Sequence, residues 1–120
     1  MKKVLIFIIL LFTTTAYAAK DEGYYRDRFC SNHDGKTEYY TSDQTIIDCL
    51  TKDTAWVITF ANKWDEAVGK VLNYGRATNK KIGIIVVVED ISDMQYISKL
   101  INTNTKYNLD IELLIIPKKE

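Results

Sequence analysis

A run of isoleucine and valine in the second half of the chain constrains the fold more than any other feature. Residues 82–88 contain only isoleucine, valine and one glycine. Strands that are buried on both faces have such continuous apolar sequences, and they belong to parallel pairs whose crossover helices cover the sheet. The run therefore predicts an α/β domain in which helices pack against a partly parallel sheet.

Apolar residues at helical spacing precede and follow this run. They predict one helix over residues 63–77, capped by Asn62, and a second helix that is capped by Ser92 and ends near residue 104. A last strand is predicted over residues 109–116. The second helix is expected to face the core with Met94, Ile97, Leu100 and Ile101.

The first half of the domain alternates turn signals with short runs of strand-forming residues. A short helix within residues 21–33 is followed by strands over residues 37–41, 45–50 and 55–60. The complete order is α-β-β-β-α-β-α-β. A three-strand meander followed by two helix crossovers predicts a mixed sheet.

The N-terminus has the three parts of an export signal. Two lysines are followed by an apolar run of nine residues, and Ala16 and Ala18 supply small residues for signal peptidase. The apolar run is about half as long as a membrane-spanning helix requires. We therefore predict a signal peptide over residues 1–18 and a single domain over residues 19–120. The domain is expected to be periplasmic or secreted and to have no membrane segment after cleavage.

The charge balance argues against nonspecific nucleic-acid binding. Removing Lys2 and Lys3 leaves 14 of the 16 basic residues against 16 acidic residues. Such binding depends on basic side chains that neutralise phosphates, so a slightly acidic domain is poorly suited to it. The sequence identifies no partner, and it contains no glycine-rich phosphate loop or zinc-ligand spacing.

Cys30 and Cys49 are the two cysteines of the chain. In an oxidising compartment an even number of cysteines favours a disulfide, and closing this loop would stabilise the fold by about 3 kcal/mol. Two separately buried thiols are the alternative.

Three segments resemble a family of small exported bacterial proteins with a PD-(D/E)XK nuclease-like fold. They are residues 30–38, 43–51 and 60–69. The Asp-Cys-Leu-Thr element at residues 48–51 is among the most specific parts, and the resemblance extends over residues 25–117. It implies a restriction-endonuclease-like core with the element order αβββαβαβ.

The resemblance also implies a site for metal-dependent phosphodiester hydrolysis. Such a site holds a divalent metal such as Mg²⁺ through carboxylates, and the metal activates water. Asp48 matches the first acid of the family, and Glu38 on the preceding strand could be a second metal ligand. The resembled family has acids at the positions of Val57 and Thr59, so the metal site is incomplete here. An inactive protein needs no cofactor, and an active one needs a divalent metal.

One face of the predicted helix carries further candidates. Lys63, Lys70 and Tyr74 are spaced by seven and four residues and share a face. The family has glutamine at the position of Lys70, whereas its tyrosine is retained at Tyr74. The alternatives are an ordinary polar helix face, or an ion pair between Asp48 and one lysine.

Three functions remain open at this stage. The first is a catalytically inactive, nuclease-fold protein that acts as an exported binding or structural module. The second is a metal-dependent nuclease with a rearranged active site. The third is an exported domain of another fold with an unrelated binding role. The catalytic candidates for the second are Asp48, Glu38, Lys63, Lys70 and Tyr74.

Overall fold

The computed structural model describes residues 21–118 of the chain. The predicted signal peptide at residues 1–18 lies outside this range. Within the described range, no helix combines the length and the apolar character that crossing a membrane requires.

Three helices and five strands make up the described part of the chain, with two short 3₁₀ turns before the second and third helices. In chain order the elements are α1 (Glu22–Asn32), β1 (Lys36–Tyr40), β2 (Ile46–Leu50), β3 (Thr54–Phe60), a 3₁₀ turn (Ala61–Lys63), α2 (Trp64–Thr78), β4 (Lys81–Val88), a second 3₁₀ turn (Ile91–Asp93), α3 (Met94–Lys106) and β5 (Ile111–Pro117).

The five strands form one mixed sheet in the order β1-β2-β3-β4-β5. The pairs β1–β2 and β2–β3 are antiparallel, and the pairs β3–β4 and β4–β5 are parallel. The predicted α/β class and the mixed sheet are confirmed. Because β3, β4 and β5 run in one direction, α2 and α3 form the crossovers between them.

The core consists of two layers, one on each face of the sheet. We call the side covered by α2 and α3 the helix-pair face, and the opposite side the α1 face. The helix-pair face buries alternate residues of the central strands, Ala55, Val57, Ile84 and Val86, against α2 and α3. The α1 face buries the residues between them, Trp56, Ile58, Ile85 and Val87, against Tyr25 and Phe29. Burial on both faces explains the continuous apolar sequence of β4.

A disulfide joins Cys30 of α1 to Cys49 of β2, with their Cα atoms 5.7 Å apart. The predicted bond is therefore confirmed, and the alternative of two separate thiols is wrong. Gly35 passes close to the bond, since a Cβ atom at this position would lie 2.5 Å from the sulfur of Cys30 and 2.7 Å from that of Cys49. A side chain cannot be accommodated there without displacing the bond.

Both predicted helix caps are wrong, because a 3₁₀ turn precedes each helix. Asn62 lies within the turn Ala61–Lys63, and α2 begins at Trp64 without a side-chain cap. Ser92 lies within the next turn, where its N–H donates to the side chain of Asp90. The turns satisfy backbone groups that a capping side chain would otherwise bind.

The inward face of α3 is narrower than predicted. Ile97 and Leu100 are buried, whereas Met94 and Ile101 remain 46% and 45% exposed. Ile115 of β5, which pairs with Val86 on the helix-pair face, is also about half exposed. The apolar residues at the borders of the helix stripe are therefore partly exposed to solvent.

Candidate functional site

Strand β2 has a local break at Asp48. Side chains two residues apart in a strand normally share a face, but Ile47 packs on the helix-pair face and Cys49 on the α1 face. Opposite this point, Glu38 of β1 adopts a left-handed backbone with φ 48°. Ile46, at the start of β2, is 44% exposed.

The break directs Asp48 toward donors from two other elements. Its Oδ2 atom accepts a hydrogen bond from the backbone N–H of Ile58 at 3.1 Å. Tyr74 on α2 lies beside Asp48, and both the charge and the hydrogen bonds of Asp48 act on the pKa of its hydroxyl. Tyr74 is only 4% exposed. Burial, with a smaller contribution from the negative charge of Asp48, raises the pKa of Tyr74 far above its ordinary value, so the phenol stays neutral.

The guanidinium group of Arg26 interacts electrostatically with both predicted metal ligands, Glu38 and Asp48. Arg26 of α1 forms a 2.8 Å ion pair with Glu38 and a 2.9 Å ion pair with Asp27. The pKa of Arg26 is raised, chiefly by its hydrogen bond with Asp27, and the charges of Glu38 and Asp48 add to this effect. Arg26 thus supplies a fixed positive charge near the two acids.

The same residues line a polar cleft between α1, β2 and α2. We call it the Asp48 cleft. It has a volume of about 280 Å³, and its charged walls include Asp48, Arg26, Glu22 and Lys70. A smaller hollow of about 80 Å³ adjoins it and is lined in part by Glu22, Lys70 and Lys63. The structure therefore brings Asp48, Lys70 and Tyr74 together, places Lys63 in the adjoining hollow, and connects Glu38 to the cleft through Arg26.

Val57 and Thr59 occupy the two β3 positions at which the resembled family has acids. Val57 is buried in the core of the helix-pair face. Thr59 is also buried, and its hydroxyl donates to the carbonyl oxygens of Phe60 and Lys63 at 3.0 and 3.4 Å. These side chains pack and bond within the protein, so neither offers an ionic ligand to the cleft.

The side chains around Asp48 do not fit a divalent metal. Mg²⁺ requires near-octahedral oxygen coordination that includes carboxylates. Among residues 21–118, no three His, Cys, Asp or Glu side chains are grouped so that they could hold a metal ion. The carboxylate of Asp48 is engaged by Ile58, and that of Glu38 is engaged by Arg26.

Sequence reasoning did not identify Glu22 and Arg26 as residues of this cleft. Asp21 caps α1 by accepting the N–H of Tyr24 at 3.1 Å, and this cap places Glu22 in the first helical turn. The carboxylate of Glu22 accepts a 3.4 Å hydrogen bond from the N–H of Phe60. Glu22 and Arg26 are four residues apart and share a helix face. That spacing was the available signal, but no local pattern indicates that this face meets β2 and β3.

Comparison of the chain with protein-family models, with curated proteins and with solved structures finds no match.

Proposed function

We propose that this protein is an exported, catalytically inactive module with a nuclease-like fold, and that it serves a binding or structural role. In this proposal the former catalytic position, Asp48, stabilises the fold. The Asp48 cleft is then a charged surface feature that is held by hydrogen bonds within the chain, and it needs no metal cofactor.

The element order supports the nuclease-like part of the proposal. The chain runs α-β-β-β-α-β-α-β, with an antiparallel meander followed by two parallel crossovers. This is the order that the resemblance to the PD-(D/E)XK family implies. Asp48 also lies on the second strand, where that family carries its first acid.

The observation that carries the inactive part of the proposal is the bonding of Asp48. Its carboxylate accepts the N–H of Ile58 and lies beside the buried hydroxyl of Tyr74. A carboxylate that is bonded in this way is a weak candidate for metal ligation, because binding a metal would break these contacts and leave buried donors without acceptors.

The disulfide supports export. Such bonds persist in oxidising compartments and are rare in the reducing cytosol. The Cys30–Cys49 bond and the predicted signal at residues 1–18 are therefore consistent with each other, and both favour a periplasmic or secreted protein.

A metal titration tests the proposal. The purified protein is titrated with Mg²⁺ and with Mn²⁺ while thermal unfolding and the cleavage of plasmid DNA and RNA are measured. We expect no metal-dependent shift and no cleavage. The Asp48→Ala variant is measured in parallel, with Asp53→Ala, at an exposed turn, as the matched control. Metal-dependent cleavage that is lost in Asp48→Ala but kept in Asp53→Ala would show that the protein is a nuclease.

A further inference from the structure

Strand β5 is an outer strand of the sheet with an unusually apolar sequence. Of its residues, Leu114 is 36% exposed and Ile115 is 48% exposed. Edge strands are normally short, charged or distorted, since an open apolar edge can pair with another chain. The opposite edge strand, β1, follows this rule: it has five residues, carries Lys36 and Glu38, and has a left-handed backbone at Glu38.

Hydrogen bonds at the two ends of β5 show which backbone groups point outward. The side-chain amide of Asn104 brackets Ile111: it donates to the carbonyl oxygen of Ile111 at 2.9 Å and accepts the N–H of Ile111 at 3.0 Å. At the other end, the N–H of Lys118 donates to Val88 of β4 at 2.9 Å. Backbone groups alternate in direction along a parallel strand. The residues that point away from β4 are therefore Ile111, Leu113, Ile115 and Pro117.

The edge is closed at both ends and open in the middle. Asn104 already satisfies Ile111, and Pro117 has no N–H to offer. Within the described range, this leaves Leu113 and Ile115 as the residues whose outward N–H and C=O groups can pair with another strand. Such a short opening selects strongly for the register of any strand that binds there.

We propose that β5 pairs antiparallel with β5 of a second copy of this chain, with Leu114 directly opposite Leu114 of the partner subunit. In this register Leu113 exchanges both of its hydrogen bonds with Ile115 of the partner subunit. The two-fold axis makes Ile115 do the same with Leu113 of the partner subunit. A shift by two residues in one direction would require pairing by Ile111, whose backbone groups are already bonded to Asn104. A shift in the other direction would require pairing by Pro117, which has no N–H.

The charges flanking the strand fit the same register. Leu114 and Ile116 lie on the α1 face, because they pair with Ile85 and Val87 of β4. The proposed pairing places Glu112 of the partner subunit opposite Ile116. Ile116 lines an apolar groove of about 290 Å³ together with Arg28. The partner's carboxylate therefore arrives at a groove that contains a guanidinium group, so the charges of the two copies are complementary.

The proposal goes beyond the proposed function and is tested separately, by sedimentation velocity over a range of concentrations. The protein is expressed from the full sequence, so that any processing is the cell's own. We expect a monomer–dimer equilibrium for the wild type and a monomer for both Leu114→Lys and Leu114→Glu. An equal mixture of these two variants should recover the dimer, because the register places residue 114 opposite itself. Ile101→Lys, at a similarly exposed apolar position on α3, is the matched control and should leave the dimer unchanged.

Amide hydrogen exchange supplies a second measurement of the same pairing. The N–H groups of Leu113 and Ile115 should exchange slowly in the wild type and at least tenfold faster in Leu114→Lys. A wild type of monomer mass at all concentrations would overturn the proposal, as would a dimer that Leu114→Lys does not affect. Slow exchange of these amides in a species of monomer mass would assign the edge to another occupant and would also overturn it.

Discussion

Replacing Asp48 with alanine distinguishes a structural carboxylate from a catalytic one. A structural carboxylate is bonded to the fold, so its loss lowers stability. A catalytic carboxylate often lowers the stability of the folded protein. Its removal therefore changes the free energy of unfolding little, or even raises it. The Asp48 cleft makes the two interpretations separable by unfolding alone, without knowledge of any ligand.

The expected loss follows from the donors that would be left behind. The bond from Ile58 N–H to the Asp48 carboxylate is worth about 1.5–3 kcal/mol, because the acceptor is charged. The contact with the hydroxyl of Tyr74 adds about 0.5–1.5 kcal/mol. We expect a total loss of roughly 2–4 kcal/mol for Asp48→Ala, which lowers the melting temperature of a domain of this size by roughly 10–20 °C. Asp48→Asn keeps an acceptor for Ile58 and should lose about half as much.

Urea unfolding followed by circular dichroism measures this loss. Glu38→Ala serves as the control at the same site, since it removes an exposed ion pair with Arg26 that should contribute about 1 kcal/mol or less. Combining Asp48→Ala with Tyr74→Phe should cost less than the sum of the two single losses, because the phenylalanine removes one of the stranded donors. An Asp48→Ala variant that unfolds at the wild-type urea concentration, or above it, would refute this reasoning.

Three further predictions concern the core. Reducing the disulfide should lower the free energy of unfolding by about 3 kcal/mol, and equal urea midpoints with and without reductant would contradict this. Gly83→Ala should destabilise the protein by about 1–3 kcal/mol in the same assay, because a Cβ atom there would lie 2.3 Å from the ring of Trp56. The control Gly69→Ala has nothing within 4 Å and should be neutral or mildly stabilising. Burial raises the pKa of Tyr74, so its contribution is complete below about pH 10 and declines at higher pH. The stability advantage of the wild type over Tyr74→Phe should therefore stay constant from pH 8 to about pH 10 and shrink above that, and a constant difference up to pH 11 would argue against the raised pKa.

Features encoded by local pattern or composition could be predicted from the sequence. The isoleucine–valine run over residues 82–88 corresponds to β4, Lys81–Val88, which lies between two parallel neighbours. The pairing of Cys30 with Cys49 followed from an even cysteine count together with the predicted export signal. The strand is encoded by consecutive residues, and two cysteines allow only one disulfide within the chain.

Features that depend on tertiary contacts could not be predicted in the same way. Asn62 and Ser92 are suitable capping residues, but the 3₁₀ turns move the starts of α2 and α3 to two residues past them. The break at Asp48 depends on Ile58 and Tyr74, which are remote in sequence. The sequence of β2 therefore predicts regular alternation of its side chains between the two faces. The break in that alternation is visible only in the folded structure.

The candidate site residues also divide into those predicted from local sequence and those that depend on tertiary contacts. Helical periodicity placed Lys70 and Tyr74 on one face, and both lie at or beside Asp48. Their roles remain predictions. The ion pair between Arg26 and Glu38 joins α1 to β1, and no spacing along the chain indicates which helix will approach which strand.

The disulfide links the assembly of the Asp48 cleft to the compartment in which the chain folds. Cys49 follows Asp48 directly on β2, and Cys30 lies one helical turn after Arg26 on α1. Two walls of the cleft are therefore joined by one covalent bond. In a reducing compartment the same chain lacks this bond, so the domain is easier to unfold there. If the chain is exported as we propose, oxidation after transport joins the two walls, so the cleft is most stable in the compartment that the protein reaches.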